Sequence, residues 1–208
     1  MSLKSRRILR LILLSISVII FTFIAIFLIL DKLNNFDLSV YNFIIKYKSN
    51  FLTGFFKLIT FFASTEWLIC LLLGILIINK FSKISIMLLI YVGIIALINI
   101  VLKNIFLRIR ALDLMIINET GYSFPSGHST MSLALYGLVA YLVYKSNYQK
   151  NIKVLLISLL FLLSFLIGLS RIYLGVHYAS DVLAGFMLAI CYFCIFTNIY
   201  KIGKEVQK

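Results

Sequence analysis

Charge is scarce in this chain, and acid scarcest of all. Only 13% of the 208 residues are charged, and only seven are Asp or Glu. The apolar fraction is 62%, and the mean hydropathy is +1.07. A soluble domain of this length is neither so apolar nor so poor in charge, so composition excludes that class. Proline occurs once, and no linker, repeat or low-complexity stretch interrupts the chain, which reads as one domain over residues 1–208. Cysteine occurs three times, as Cys70, Cys191 and Cys194, always inside an apolar run. The Cys191/Cys194 spacing lacks a second pair and has Phe and Tyr neighbours, so it reads as packing rather than redox or metal chemistry. No run of five like charges exists, so the net charge of +13 makes no basic tail. The excess Lys and Arg flank apolar spans, where they face anionic headgroups, and nucleic acid is not implied.

What is present in quantity is long apolar sequence. The run 8–30 follows Lys4, Arg6 and Arg7. It is too long for a signal-peptide core and no small-residue cleavage site follows it, so it predicts a retained membrane helix. Further spans are expected at 61–79, 84–102, 127–144, 153–169 and 179–200, which makes six. Residues 31–60 mix charge with Phe36, Tyr41, Phe43, Phe51, Phe55 and Phe56, a pattern suited to a surface-lying or re-entrant segment. The expected fold class is an all-α integral membrane protein. Six spans put both termini on one side. That side carries Lys4, Arg6, Arg7 and Arg10, then Lys80 and Lys83, then Lys145, Lys150 and Lys153, then Lys201, Lys204 and Lys208, against one acid, Glu205. The positive-inside rule makes it cytoplasmic and puts the other loops outside.

Three polar islands interrupt this sequence, and all fall on the predicted outer side. Lys103 and Arg110 lie seven positions apart, on one face if the third span continues that far. Pro125-Ser126-Gly127-His128 opens the fourth span, where Pro ends the loop, Ser caps, and the helix-start N–H groups suit an anion. Ser170-Arg171 precedes His177 by six residues, and Asp181 follows His177 by four, a spacing that brings the pair together on a helix. A carboxylate against one ring nitrogen fixes the tautomer and makes the other nitrogen a better nucleophile. Taken singly, each charge reads as an interfacial anchor, and each histidine as a packing residue. Taken together, they suit attack by His177 on phosphorus. Lys103, Arg110 and Arg171 then hold the phosphoryl oxygens, and His128 protonates the leaving oxygen. Asp181 is the only acid in an island, with Asp113 and Glu119 loose in the loop, so a divalent-metal site is not expected and no cofactor is implied. Arg108, elsewhere around the same helix, reads as a headgroup anchor. Asn118-Glu119-Thr120 reads as a chance sequon. Gly137, Gly168, Ala184, Gly185 and Ala189 read as close helix contacts.

The three islands resemble the three motifs of the type 2 phosphatidic acid phosphatase superfamily. Lys103 to Arg110 is similar to Lys-x6-Arg-Pro, residues 125–128 to Pro-Ser-Gly-His, and Ser170 to Asp181 to Ser-Arg-x5-His-x3-Asp. One position departs from the pattern: Ala111 stands where the family has proline. The resemblance covers about residues 60–200. It implies a six-helix membrane phosphatase with a vanadium-haloperoxidase-like helical core and an outward-facing site. It implies His177 as nucleophile, Asp181 as its partner and His128 as acid. Lys103, Arg110, Ser126, Gly127, Ser170 and Arg171 are implied as phosphate binders.

The expected partner is a phosphorylated lipid in the bilayer. Undecaprenyl diphosphate is the first expectation, from the short chain and the outward site, with phosphatidylglycerophosphate and phosphatidic acid as alternatives. A lipid-headgroup transporter needs the cations but not His177 with Asp181. A phosphotransferase differs only in the acceptor, which leaves no motif. The six spans set the chain apart from the soluble haloperoxidases.

Overall fold

The computed structural model describes residues 3–199. Of the residues used above to orient the chain, Lys201, Lys204, Glu205 and Lys208, with the side chains of Lys4 and Arg6, lie outside the described residues. So does Tyr200, the expected end of the last span.

Eight α-helices and one 3₁₀ turn make up the described chain, in the order α1 (Leu3–Ile29), α2 (Asn34–Ile45), α3 (Asn50–Phe61), α4 (Thr65–Ile78), α5 (Lys83–Phe106), the 3₁₀ turn (Leu112–Leu114), α6 (Gly127–Lys145), α7 (Lys150–Tyr173) and α8 (Ala179–Ile199). Serine starts several of them. Ser49, Ser64 and Ser82 each accept a hydrogen bond from a backbone N–H three residues on, satisfying a donor that the first turn leaves open.

Four helices, α1, α5, α7 and α8, are long and apolar enough to cross a membrane. A fifth span arises if α3 and α4, bent by 43°, are counted together. The expected single helix over 61–79 is therefore corrected: the chain breaks at Phe62–Ser64, and α4 alone is only 14 residues. No proline causes the break. The Ser64 cap starts a new helix there, and Tyr136 Oη of α6 donates to the freed Phe62 carbonyl at 2.5 Å. Residues 31–60 form two short helices, α2 and most of α3, and α3 is the first half of the bent pair.

The bundle is inside out relative to a soluble protein. Large apolar side chains such as Ile19, Phe23, Ile90, Leu97 and Phe165 are exposed, while Ser129, Thr130, Arg171 and Asp181 are buried. In the interior, α6 packs against α7 and α8, and α1 covers α8. Tyr91, Ile95, Leu135, Leu138 and Ile167 fill the centre. Gly185 lets the start of α6 approach α8, since a Cβ there would lie 2.8 Å from the Ser126 carbonyl oxygen. Tyr173 Oη joins Ser49 and Thr53, which ties α3 to the end of α7.

The loop after α5 is folded back onto the bundle. Leu107 turns it in the left-handed region, at φ 50°. Ile116 N–H donates to the Leu174 carbonyl at 2.9 Å, which zips the loop to the α7–α8 turn. Gly175 in that turn has φ +70°, and a Cβ would meet the Leu114 carbonyl oxygen at 1.9 Å, so only glycine fits.

Candidate active site

Lys103 and Arg110 do converge, but not along a helix. Helix α5 ends at Phe106, and Arg110 sits in the folded-back loop, so the expected shared helical face is corrected. Their common partner is the Tyr122 carbonyl, reached by Lys103 Nζ at 2.5 Å and Arg110 Nη2 at 3.4 Å. Arg110 also donates to the carbonyls of Gly121, Thr120 and Val176. Its remaining donor lies 3.1 Å from His177 Nε2.

That contact assigns the imidazole. Guanidinium only donates, so Nε2 carries the lone pair and the ring proton sits on Nδ1. Nδ1 faces Asp181 Oδ2 at 3.4 Å and Ser123 Oγ at 3.3 Å. His177 lies in the turn before α8, not on the helix, so the four-residue spacing meets through that turn. Burial is the main force pushing its pKa down, to about 3; Asp181 opposes the shift and Arg110 adds to it. The resting ring is therefore neutral, with the Nε2 electron pair accepting from Arg110.

Asp181 is held more tightly than its distance to His177 suggests. Its Oδ2 accepts from Ser123 Oγ and from Tyr178 N–H at 3.0 Å. Its Oδ1 accepts from Arg108 Nη1 at 2.6 Å. Arg108 is thus corrected from headgroup anchor to buried partner. Its side chain is 8% exposed, it also pairs with Asp37 of α2 at 2.7 Å, and it lies over the Tyr178 ring. Burial works against its charge, but Asp181 and Asp37 outweigh that and hold its pKa above the usual value.

Arg171 is buried at the end of α7. Its Nη1 donates to Thr60 Oγ1 at 2.8 Å, and its Nη2 pairs with Glu119. Its Nε is buried without a partner among the described residues. Glu119 is therefore not loose in the loop, as its sequence setting suggests. Ser126 caps α6 and Ser170 donates back to Ile167 O at 2.6 Å, so both hydroxyls are turned into the protein.

A cavity of about 490 Å³ opens beside these groups. Lys103, Arg110, Glu119, Gly127, His128 and His177 line one end. Leu68, Ile69 and Leu72 of α4, with Leu89, Val92 and Ala96 of α5, line the other. Of the sequence-predicted residues, Lys103, Arg110, Gly127, His128 and His177 thus share one cavity. Asp181, Ser126, Ser170 and Arg171 stand behind its wall.

The family model of the PAP2 superfamily matches residues 84–203, a stretch that contains all three islands. The chain belongs to the PAP2 superfamily. Phosphatidylglycerophosphatase B of Bacillus subtilis (strain 168) is 37% identical over 98 residues, which is 47% of this chain and 48% of that protein. The match thus spans about half the length of this curated relative. Two solved structures extend the likeness. A transmembrane PAP2 type phosphatidylglycerolphosphate phosphatase from Bacillus subtilis aligns with a TM-score of 0.79 at 26% identity, over 91% of this chain and 98% of that one. Aquifex aeolicus LpxE aligns with a TM-score of 0.63 at 25% identity, over 79% of this chain and 96% of that one.

The PAP2 pattern's missing proline leaves the turn intact here. Ala111 has φ −78°, inside the range proline imposes. Sequence reading missed Ser123, Glu119, Thr60, Asp37 and the inward role of Arg108. Asp37 left one trace, as an acid in an otherwise aromatic and aliphatic amphipathic segment. Ser123, Glu119 and Arg108 left none, because loop residues carry no periodicity, and Thr60 left none because a single threonine in α3 does not announce a distant partner.

Proposed function

We propose that the chain is a membrane phosphatase that removes the phosphoryl group of phosphatidylglycerophosphate. The observation that carries this reading is a single cavity with two unlike ends. Cations and both histidines line one, and an apolar wall from α4 and α5 lines the other. Ile69, Leu89 and Ile100 belong to that wall and are also exposed on the outer surface of the bundle, which suits entry of a lipid tail from the bilayer. Both Bacillus relatives are named for phosphatidylglycerophosphate, which favours it over undecaprenyl diphosphate, the substrate expected first.

In this reading His177 Nε2 forms a bond to phosphorus as the bond from phosphorus to the lipid oxygen breaks. His128, protonated in the complex, gives its proton to that oxygen. Water then adds to phosphorus and passes a proton back to His128. The phosphorus–nitrogen bond breaks, its electron pair returns to Nε2, and inorganic phosphate leaves. Lys103, Arg110 and Arg171, with the N–H groups at the start of α6, hold the phosphoryl oxygens as charge develops. Ser126 and Ser170 act here as shaping residues, by capping α6 and by closing the end of α7. Glu119, which now engages Arg171, gives way to the phosphoryl group. The residues supply nucleophile, acid and countercharge, so the reading needs no metal.

The six-span topology belongs to the same proposal. Helix α6 has 19 residues. At 1.5 Å per residue it is about 28 Å long, enough for the hydrocarbon core. It is less apolar than the other spans because it carries polar residues inward, such as Ser129, Thr130 and Ser132. With it and the bent α3–α4 pair, both termini are cytoplasmic and the site is extracytoplasmic. A cysteine introduced at exposed Leu112 should then react with an impermeant thiol reagent on intact cells; labelling at Tyr148 instead reverses the orientation.

The deciding experiment compares phosphatidylglycerophosphate, phosphatidic acid and undecaprenyl diphosphate by kcat/KM, with the purified protein in detergent and EDTA present. The reading expects the first to lead, acid-labile phosphate on the quenched protein, and loss of label and turnover in His177→Ala. Absence of phosphate release from all three, or full turnover by His177→Ala, overturns it.

A further inference from the structure

Three charges are buried together behind His177, and the motif chemistry uses only one of them. Asp37 and Asp181 have no side-chain exposure, and Arg108 between them has 8%. Arg108 Nη2 donates to Asp37 Oδ2 at 2.7 Å, and Nη1 to Asp181 Oδ1 at 2.6 Å. Asp37 comes from α2, far from the motifs in sequence, and reaches α8 directly. Its carboxylate accepts from Ser180 N–H at 2.8 Å and from Ser180 Oγ at 2.7 Å. The Arg108 guanidinium is stacked on the Tyr178 ring, 4.0 Å from its centroid. Every member is hydrogen-bonded, which is the condition for burying charges at all.

The order of charges matters for His177. A guanidinium in direct contact with Asp181 would by itself cancel the negative charge that His177 faces. A second carboxylate on the far side of that guanidinium restores it. The two acids and one base leave one net negative charge beside an imidazole that becomes positive as it attacks. We propose that Asp37 is a positioning residue for catalysis: by neutralising Arg108 it keeps the charge of Asp181 available to His177, while Arg108 fixes the direction of that carboxylate. This rests on His177 being the nucleophile. It makes the short amphipathic helix α2 part of the active site, and gives the arginine two positions before Arg110 a purpose other than phosphate binding.

A docking role for Asp37, holding α2 against α8, predicts something different, and the charge balance separates the two. Asp37→Asn is isosteric and can still accept from Arg108 through its one carbonyl oxygen, at the cost of the Ser180 N–H bond, and it leaves Asp181 as the sole countercharge of Arg108. In hydrolysis of phosphatidylglycerophosphate in mixed micelles it should lower kcat on the order of tenfold, well short of losing the orienting carboxylate itself, with KM unchanged. Adding Arg108→Gln removes the guanidinium charge that cancels Asp181, leaves an amide NH2 able to donate to the same carboxylate oxygen, and restores the single net negative charge. The double variant should therefore regain most of the lost kcat, so the two substitutions couple with a favourable sign. Asp37→Asn with wild-type kcat, or a folded double variant no faster than Asp37→Asn, overturns the proposal. If Asp37→Asn does not accumulate, the double variant decides alone: kcat near wild type supports the proposal, and a loss of about tenfold or more overturns it. Wild-type protein that neither releases phosphate nor labels His177 sinks the phosphatase reading instead.

Discussion

Arg110 donates a hydrogen bond to the Nε2 atom of His177 across 3.1 Å, so the ring's electron pair points at one of the cations that line the cavity. A neutral imidazole held this way is reluctant to take a proton. The sign of the resulting pH dependence follows from linkage. The folded pKa of His177 is pushed to about 3, below its ordinary value of 6.5. Between these values the unfolded chain binds a proton that the folded chain does not. This group's contribution therefore makes the protein less stable as pH falls through that window, and leaves stability unaffected above it. Thermal unfolding in detergent from about pH 7 down to about pH 4 should show a decline that is shallower in His177→Gln. An identical decline in both proteins counts against the buried neutral ring.

The Glu119 carboxylate pairs with Arg171. If Arg171 holds a phosphoryl oxygen, as proposed above, Glu119 competes with substrate for that cation, and its removal should ease binding. In Glu119→Gln, vanadate should inhibit more tightly, on the order of tenfold, because a neutral amide competes less well than a charged partner for the guanidinium. Inhibition constants for vanadate in the two proteins measure this directly. Weaker inhibition in the variant would mean that Glu119 holds Arg171 in place for phosphate.

The apolar end of the cavity offers a test that leaves the chemistry alone. Gly93 lines it, and a Cβ there meets nothing within 4 Å. Gly93→Leu should therefore fold and narrow the passage between α4 and α5. KM for a long-chain lipid phosphate should rise on the order of tenfold, as expected when a buried apolar group takes the volume of a few methylenes. Hydrolysis of a small water-soluble phosphate monoester should not change. Equal effects on both substrates would argue that the tail lies elsewhere.

Ala111 already has the backbone of the residue it replaces. Its φ is −78°, and its N–H makes no hydrogen bond among the described residues. Ala111→Pro should then restrict the unfolded chain without straining the folded one. A gain of about 0.4–1 kcal/mol is expected, seen as a higher Tm with unchanged activity. A lower Tm would show that the turn depends on freedom at this position.

Much of the composition of the cavity was legible in the residues alone, since Lys103, Arg110, Gly127, His128 and His177 all line it. The membrane class followed from apolar runs too long for a soluble core. The three islands could be read because their residues are costly to bury in lipid and unlikely to recur together at those spacings without a shared purpose. Close packing at Gly168 and Gly185 was legible too, since both meet neighbouring side chains or backbone at short range, whereas Gly137 has only ordinary contacts. Periodicity was less informative where helices stop. It stopped the third span at 102, although α5 runs to Phe106, and it joined residues 61–79 across a break at which Tyr136 of another helix holds the Phe62 carbonyl.

By itself, then, the sequence determined a helical protein with membrane-length apolar helices, the polar motifs of the PAP2 superfamily and the order in which the chain supplies them. Hydrophobic content and local spacing are properties of neighbouring residues, so one chain without relatives displays them. Only the tertiary structure decided that Arg108 turns inward, that Glu119 meets Arg171, and that Asp37 reaches Asp181 through a shared arginine. These partners lie 52 to 73 residues apart along the chain. No local pattern links them, because what selects each partner is the need to satisfy a buried charge, and burial exists only once the helices have packed.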